Sequence, residues 1–280
     1  MKYAVLYNPL ANNNKGYENA KKLNKLIKGK LEYYAMPTVI DYKKFFMKHN
    51  NIIICGGDGT LNYFVNKTKD LKYYSNLFYY YTGTGNDFHN DIGLKREIPY
   101  QINKYIDNLP TTIINGKDYK FVNNVGFGLD GWICEKGDYE KSKYNKPSNY
   151  TKIALKGIIK DYKTCNAHIN VDGKEYDLNN VWLAPTMNSR VYGGGMFIAP
   201  NQDRLDKDGL LTLVVINDIS KLNLITSFPS IFNGSHINKK GVSFYKGKNI
   251  KVTFDRESSI QIDGEVIKNV LEYQVISRIK

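Results

Sequence analysis

The sequence predicts a chain of two domains, an α/β domain built on a parallel sheet followed by a β-rich second domain. Three observations predict it. Strand and helix signals alternate over residues 1–116, the rhythm of a parallel sheet with helices on its faces. Two short, apolar runs in this stretch, 51–55 and 77–81, lack the polar alternation of a half-exposed strand, which suits strands covered on both faces. Beyond residue 117 the long helical spacings thin out, and short β-rich runs separated by Asp-Gly turns dominate, as in an antiparallel domain.

The elements follow in order. Residues 2–7 form an apolar strand that stops at Asn8-Pro9, since proline has no amide to donate to a ladder. Residues 17–27 have helical spacing, with Leu23, Leu26 and Ile27 apolar. Residues 51–55 (NIIIC) form a buried strand that runs into Gly56-Gly57, and 60–67 read as a helix. Residues 77–81 are a second buried strand, ending at Thr82-Gly83, and 97–109 read as a helix. In the second domain strands are expected over 119–125, 167–171, 181–184, 210–216, 250–254 and 270–276, with turns at Asp172-Gly173 and Asp208-Gly209. Its main helices are expected over 149–162 and 220–232.

With 280 residues and 42% hydrophobic composition, the chain can bury a substantial core. Cys55, Cys134 and Cys165 are scattered, so neither a disulfide framework nor a zinc site is indicated and a cytoplasmic setting is expected. No apolar run approaches the length of a membrane span. The net charge of +13 favours anionic partners. It suits nucleic acid and an anionic membrane alike, but no nucleic-acid recognition motif accompanies it.

Chemistry concentrates in two loops. Gly56-Gly57-Asp58-Gly59-Thr60-Leu61-Asn62 joins a strand to a helix start. Glycines let backbone amides approach phosphate oxygens, and the helix N-terminus adds partial positive charge. Asp58 could hold Mg²⁺ directly or through water. Gly83-Thr84-Gly85-Asn86-Asp87-Phe88 follows the next strand. In a parallel sheet both loops leave at the C-terminal strand ends, where ligands bind in open α/β folds.

GGDGTLN followed by GTGNDF resembles the catalytic domain of the diacylglycerol kinase family, particularly its soluble bacterial lipid kinase branch. Further landmarks come in that family's order: Tyr7-Asn8-Pro9, the stretch from Asn124 to Asp130, the "LxDG" segment at Leu205 to Leu210, and Asp263-Gly264-Glu265. The resemblance implies an NAD kinase/diacylglycerol kinase-like α/β domain and a β-sandwich-like second domain, with the site in the cleft between. It also implies that the chain returns to its first domain at the end, giving 1–116 with 268–280 as one domain and 117–267 as the other.

The resemblance further implies an ATP- and Mg²⁺-dependent lipid kinase, with diacylglycerol the default acceptor. Gly56 to Asn62 would cradle the nucleotide phosphates with Asn8, Thr84 and Asn86 nearby. Asp58, Asp87 and Asp130 would form the acidic network around a catalytic Mg²⁺, and Glu265 would be the general base. A second, structural Mg²⁺ would sit at the Leu205 and Leu210 carbonyls and Asp208. A lipid substrate met at the membrane surface and a possible homodimer are the implied partners, and a nucleic-acid partner is not expected.

Departures from the pattern are Tyr63 in place of a Glu, Tyr81-Thr82 in place of a Pro, and His89-Asn90 in place of a small residue and Arg. Residues 141–163 carry seven Lys and one Asp. Lys152, Lys156, Lys160 and Lys163 fall on one helical face, while Ile153, Ile158, Ile159 and Tyr162 supply apolar surface, a pattern suited to an anionic membrane. An NAD kinase and a non-catalytic nucleotide or lipid sensor are the alternative readings.

Overall fold

The computed structural model describes all residues other than 84, 86, 95–97, 145–147, 279 and 280. It divides into two compact units, Met1–Leu109 with Gly193–Gly195, and Pro110–Tyr192 with Met196–Lys280.

The first unit runs β1 (Lys2–Tyr7), a single turn α1 (Ala11–Asn14), α2 (Gly16–Lys21), β2 (Lys30–Ala35), α3 (Tyr42–Lys48), β3 (Asn51–Gly56), α4 (Asp58–Lys67), β4 (Asn76–Tyr81), α5 (Asp87–Asp91), β5 (Tyr100–Gln101) and α6 (Asn103–Ile106). Its sheet has the order β2-β1-β3-β4-β5, all parallel except the β4–β5 pair. Central β3 is buried on both faces, as its apolar run requires. Ile52, Ile53 and Ile54 are wholly covered, each stabilising the fold by roughly 1.5–3 kcal/mol. Asn12, Asn13 and Asn14 in α1 take left-handed backbone angles, which asparagine tolerates better than most side chains.

The helix expected over 97–109 is instead the short β5 and the one-turn α6, with residue 97 outside the described residues. Pro99 biases Ile98 away from helical angles. Asn103 then accepts from the Leu77 amide at 2.8 Å and donates to the Ser75 carbonyl at 2.9 Å, bracing β4 with side-chain bonds.

The second unit runs β6 (Thr111–Ile114), β7 (Lys117–Lys120), β8 (Asn124–Gly128), α7 (Leu129–Tyr144), α8 (Tyr150–Lys156), β9 (Cys165–Val171), β10 (Lys174–Met187), β11 (Leu211–Asn217), α9 (Lys221–Ser227), β12 (Val242–Gly247), β13 (Asn249–Ile262) and β14 (Glu265–Ile276). The strand path is β12-β11-β10-β8-β13-β14-β6-β7, with β9 pairing both β10 and β13. The two fourteen-residue strands β10 and β13 change partners along their length. Each pairs with β9 in its first half and with β8 in its second, across register shifts after Leu178 and Thr253. Such bulges bend a strand, and here they let one strand serve both layers of a sandwich. Phe127 and Phe254 stack in the interior with ring centroids 4.1 Å apart.

Two sequence expectations change. The strand expected over 119–125 is two strands, because the Val122 and Asn123 amides turn to the Asp263 carboxylate at 2.6 and 2.7 Å. Residues 268–276 lie in β14, paired with β13 and β6, so this segment stays in the second unit. The first compact unit ends at Leu109. Helix α7 has no counterpart in the sequence reading. Its buried residues are Leu129, Asp130, Gly131 and Gly137, so it carries no apolar stripe to reveal it.

Candidate active site

The turn between β3 and α4 is shaped by what its glycines leave out. A Cβ on Gly56 would meet the Thr60 side chain at 2.3 Å, and one on Gly83 would lie 2.6 Å from the Gly57 Cα. The two glycine-rich loops therefore touch backbone to backbone at Gly57 and Gly83. The Thr82 amide donates to the Gly56 carbonyl at 3.0 Å and extends that contact. Gly57 caps α4 in an extended conformation, and its carbonyl accepts from the Thr60 and Leu61 amides. Thr60 and Asn62 are buried, and Leu61 is wholly so. Leu61 thus serves the turn as a core anchor. Gly59 is exposed at the start of α4.

Asp58 is the link between the loops. Its Oδ2 accepts from the Asp87 amide at 2.9 Å and its Oδ1 from the Phe88 amide at 3.0 Å, capping α5. Asp87 in turn accepts from the Gly194 amide at 3.1 and 3.0 Å through its two oxygens, and from Gly195 at 2.9 Å. Gly193, Gly194 and Gly195 all have positive φ, which glycine adopts without a Cβ penalty. The sequence reading missed this tri-glycine segment, although three successive glycines were a visible signal. Thr84 and Asn86 lie outside the described residues.

Asn8 closes the end of β1: its Oδ1 accepts from the Leu10 amide at 3.0 Å and its carbonyl from Ala11 at 3.1 Å. Tyr63 is on the exposed side of α4 with the Lys67 ammonium 5.6 Å from its ring centroid. His89 is buried, and neither ring nitrogen has a hydrogen-bond partner among the described residues.

In the second unit Asp130 is buried at the start of α7. The Tyr192 hydroxyl donates to its Oδ1 at 2.9 Å, while Oδ2 has no hydrogen-bond partner among the described residues. Burial pushes its pKa up to about 7, a rise that the Tyr192 bond opposes. Asp263 orders the turn before β14 by accepting three amides, those of Val122, Asn123 and Asn124. Glu265 follows, open to solvent yet surrounded by enough protein to lose hydration. That loss, then the neighbouring Asp138 and Asp263 carboxylates, raise its pKa, and Lys141 opposes them.

The segment 203–210 is held by Asp206, a residue the sequence reading passed over. Asp206 Oδ1 accepts from the Asp208 and Leu210 amides, each at 2.9 Å. Leu205 and Asp208 are exposed, and the Leu210 carbonyl accepts from Gln202 Nε2 at 3.0 Å. Carboxylate and carbonyl oxygens are the donors Mg²⁺ takes, and the unbonded Asp130 Oδ2 suits a cation or a proton. Among the described residues no three His, Cys, Asp or Glu side chains gather as a metal site.

Comparison with known proteins agrees with this layout. Residues 2–117 match the diacylglycerol kinase catalytic domain, and 123–275 match the YegS C-terminal NAD kinase beta sandwich-like domain. A diacylglycerol kinase of Mycobacterium tuberculosis is 28% identical over 178 residues, which are 61% of this chain and only 56% of that protein. A diacylglycerol kinase of Bacillus subtilis is 28% identical over 226 residues, covering 76% of this chain and 70% of the relative. The fold is like that of a diacylglycerol kinase from Bacillus anthracis, with a TM-score of 0.62 and 20% identity over 99% of this chain and 94% of the other. On these matches, in sequence order and over almost its whole length, the chain belongs to the diacylglycerol kinase family.

Proposed function

We propose that this chain is an ATP- and Mg²⁺-dependent lipid kinase that moves the terminal phosphoryl group of ATP to a lipid hydroxyl, with diacylglycerol the default acceptor. The observation that carries this reading is the pair of glycine-rich loops packed at Gly57 and Gly83 and joined by the Asp58 carboxylate. Such a turn at the head of α4 offers backbone amides and a helix N-terminus to phosphate oxygens. Asp58 and Asp130 are the residues that would hold a catalytic Mg²⁺, with Asp87 behind Asp58; Asp208 with the Leu205 and Leu210 carbonyls would hold a structural one. When bound, Mg²⁺ neutralises charge on the transferring phosphoryl oxygens.

Glu265 is the general base in this reading. Its raised proton affinity moves a carboxylate toward the neutral range, where proton abstraction from a hydroxyl is more effective. No helix among the described residues is long and apolar enough to cross a membrane. In this reading the enzyme is cytoplasmic and meets its acceptor at the membrane surface, where the net charge of +13 favours an anionic leaflet. The reading is tested by transfer of labelled γ-phosphate to a mixed lipid extract and, in parallel, to NAD. Wild type should label a lipid, and Glu265→Gln should lose about 10²- to 10⁴-fold in rate. Label on NAD would favour the NAD kinase reading. ATP binding with no transfer to either acceptor would favour a sensor.

A further inference from the structure

We propose that Gln261 is a positioning residue for Glu265: its side-chain amide holds the Gly264 peptide and so fixes where the carboxylate that follows is presented. The inference rests on the reading of Glu265 as the base and names the residue that aims it.

Strand alternation puts Gln261 where it is. In β13, Ile260 and Ile262 turn into the apolar interior, so Gln261 between them faces the other way. That face is covered by α7: two residues earlier, the Ser259 hydroxyl donates to Glu135 of this helix at 2.6 Å. Gln261 is only 3% exposed, and a buried side-chain amide needs hydrogen-bond partners. Its cross-strand partner on β8 is Gly126. A Cβ on Gly126 would lie 2.7 Å from Gln261 Nε2 and 2.6 Å from Asp130 Oδ2. The missing Cβ gives the Gln261 amide its room over β8, with the nitrogen on the side of Asp130.

The oxygen end of the amide reaches the turn. Strand β13 ends at Ile262 and β14 starts at Glu265, the two paired across Asp263 and Gly264. Both turn residues have positive φ, the backbone of a tight hairpin turn. Asp263 is held by its amide, which donates to the Asn124 carbonyl at 3.0 Å, and by its carboxylate, which accepts three amides. Gly264 stands outside the ladder, and its amide donates to Gln261 Oε1 at 2.8 Å. Asp263 thus ties the turn to the start of β8, and Gln261 ties down the peptide that leads into Glu265. A glycine without such a tie has wide conformational freedom. The hairpin behind the turn pairs back to Asn249 and Ile276, so the fold does not depend on this one bond.

The experiment uses the full chain and measures ATP-dependent lipid phosphorylation in wild type, Gln261→Met, Glu265→Gln and the double variant. Methionine fills a similar space without offering an amide oxygen. Gln261→Met should lower kcat by about 10- to 100-fold, the effect of a misplaced catalytic group. KM for ATP should stay unchanged and the melting temperature should fall by no more than about 4 °C. In the Glu265→Gln background the same substitution should cost less than about twofold, because the two residues act as one unit. NMR of glycine-labelled protein should show faster water exchange at the Gly264 amide in Gln261→Met, and wild-type exchange in Gln261→Glu, which keeps an accepting oxygen. Wild-type kcat in Gln261→Met, an equal loss in both backgrounds, or unchanged Gly264 exchange would overturn the inference. A Gln261→Met chain that does not fold would overturn it as well, since Gln261 would then serve the fold. Loss of transfer in Glu265→Gln beside any of these results would leave the base itself standing. Wild-type transfer by Glu265→Gln would remove the base reading, and this inference with it.

Discussion

Gly83 has no room for a side chain, because its Cα faces that of Gly57 across the two loops. Gly83→Ala should therefore push the loops apart. The expected outcome is a destabilisation of roughly 1–3 kcal/mol and a loss of ATP affinity, read by thermal melting and by titration calorimetry. Asp206 makes a different contribution. The amide of Leu210 first, with those of Asp208 and Gly209, holds its carboxyl below the ordinary value of 3.8. A folded pKa below the unfolded one means that the stabilisation is complete above the unfolded value and is lost as pH falls through the folded one. Asp206→Ala should cost about 1–3 kcal/mol near neutrality through its unpaired amides, and the gap to wild type in urea unfolding should close in acid.

At the level of elements, α4 joins the loop chemistry to the core. Leu61, Phe64 and Val65 are fully or almost fully buried, while Asp58 stands at its first turn. Leu61→Ala should cost roughly 2–5 kcal/mol, measured by denaturant unfolding, without removing any phosphate-facing atom. Helix α8 corrects the amphipathic reading in part. Ile153, Ile158 and Tyr162 turn inward, and Leu155 and Ile159 are the apolar side chains left outside with Lys152, Lys156, Lys160 and Lys163. The helix begins where Asn149 Oδ1 accepts the Lys152 amide at 3.0 Å and passes into a π turn at Gly157–Asp161, where Gly157 makes room for the Trp132 ring.

For the molecule as a whole, the net charge of +13 implies an electrostatic contribution to surface binding. Binding to phosphatidylglycerol vesicles should weaken as salt rises from 0.1 to 0.5 M, on the order of 1 kcal/mol being lost for each surface lysine removed. Replacing Lys152, Lys156 and Lys160 together with glutamine should reproduce that weakening in a sedimentation assay. Neutral vesicles that bind as well as anionic ones would count against the peripheral reading.

The sequence by itself determined the strands that are buried on both faces, the turns that end them and the family. These depend on local signals: an unbroken β-branched run at 52–54, a glycine that alone fits beside Thr60, a proline that ends β1. What only the tertiary structure decided depends on partners distant in the chain. Asp58 becomes a cap for α5, and Asp87 a clamp on Gly194 and Gly195, 107 and 108 residues away. Asp206, not Asp208, holds its loop, and α7 is a helix pinned by Glu135 and Lys268 rather than by an apolar stripe. The last strand pairs with β13 through the turn at Asp263-Gly264 and with β6 on its other side. A carboxylate's partners are chosen by which amides the fold brings within 3 Å, and no local pattern encodes that distance.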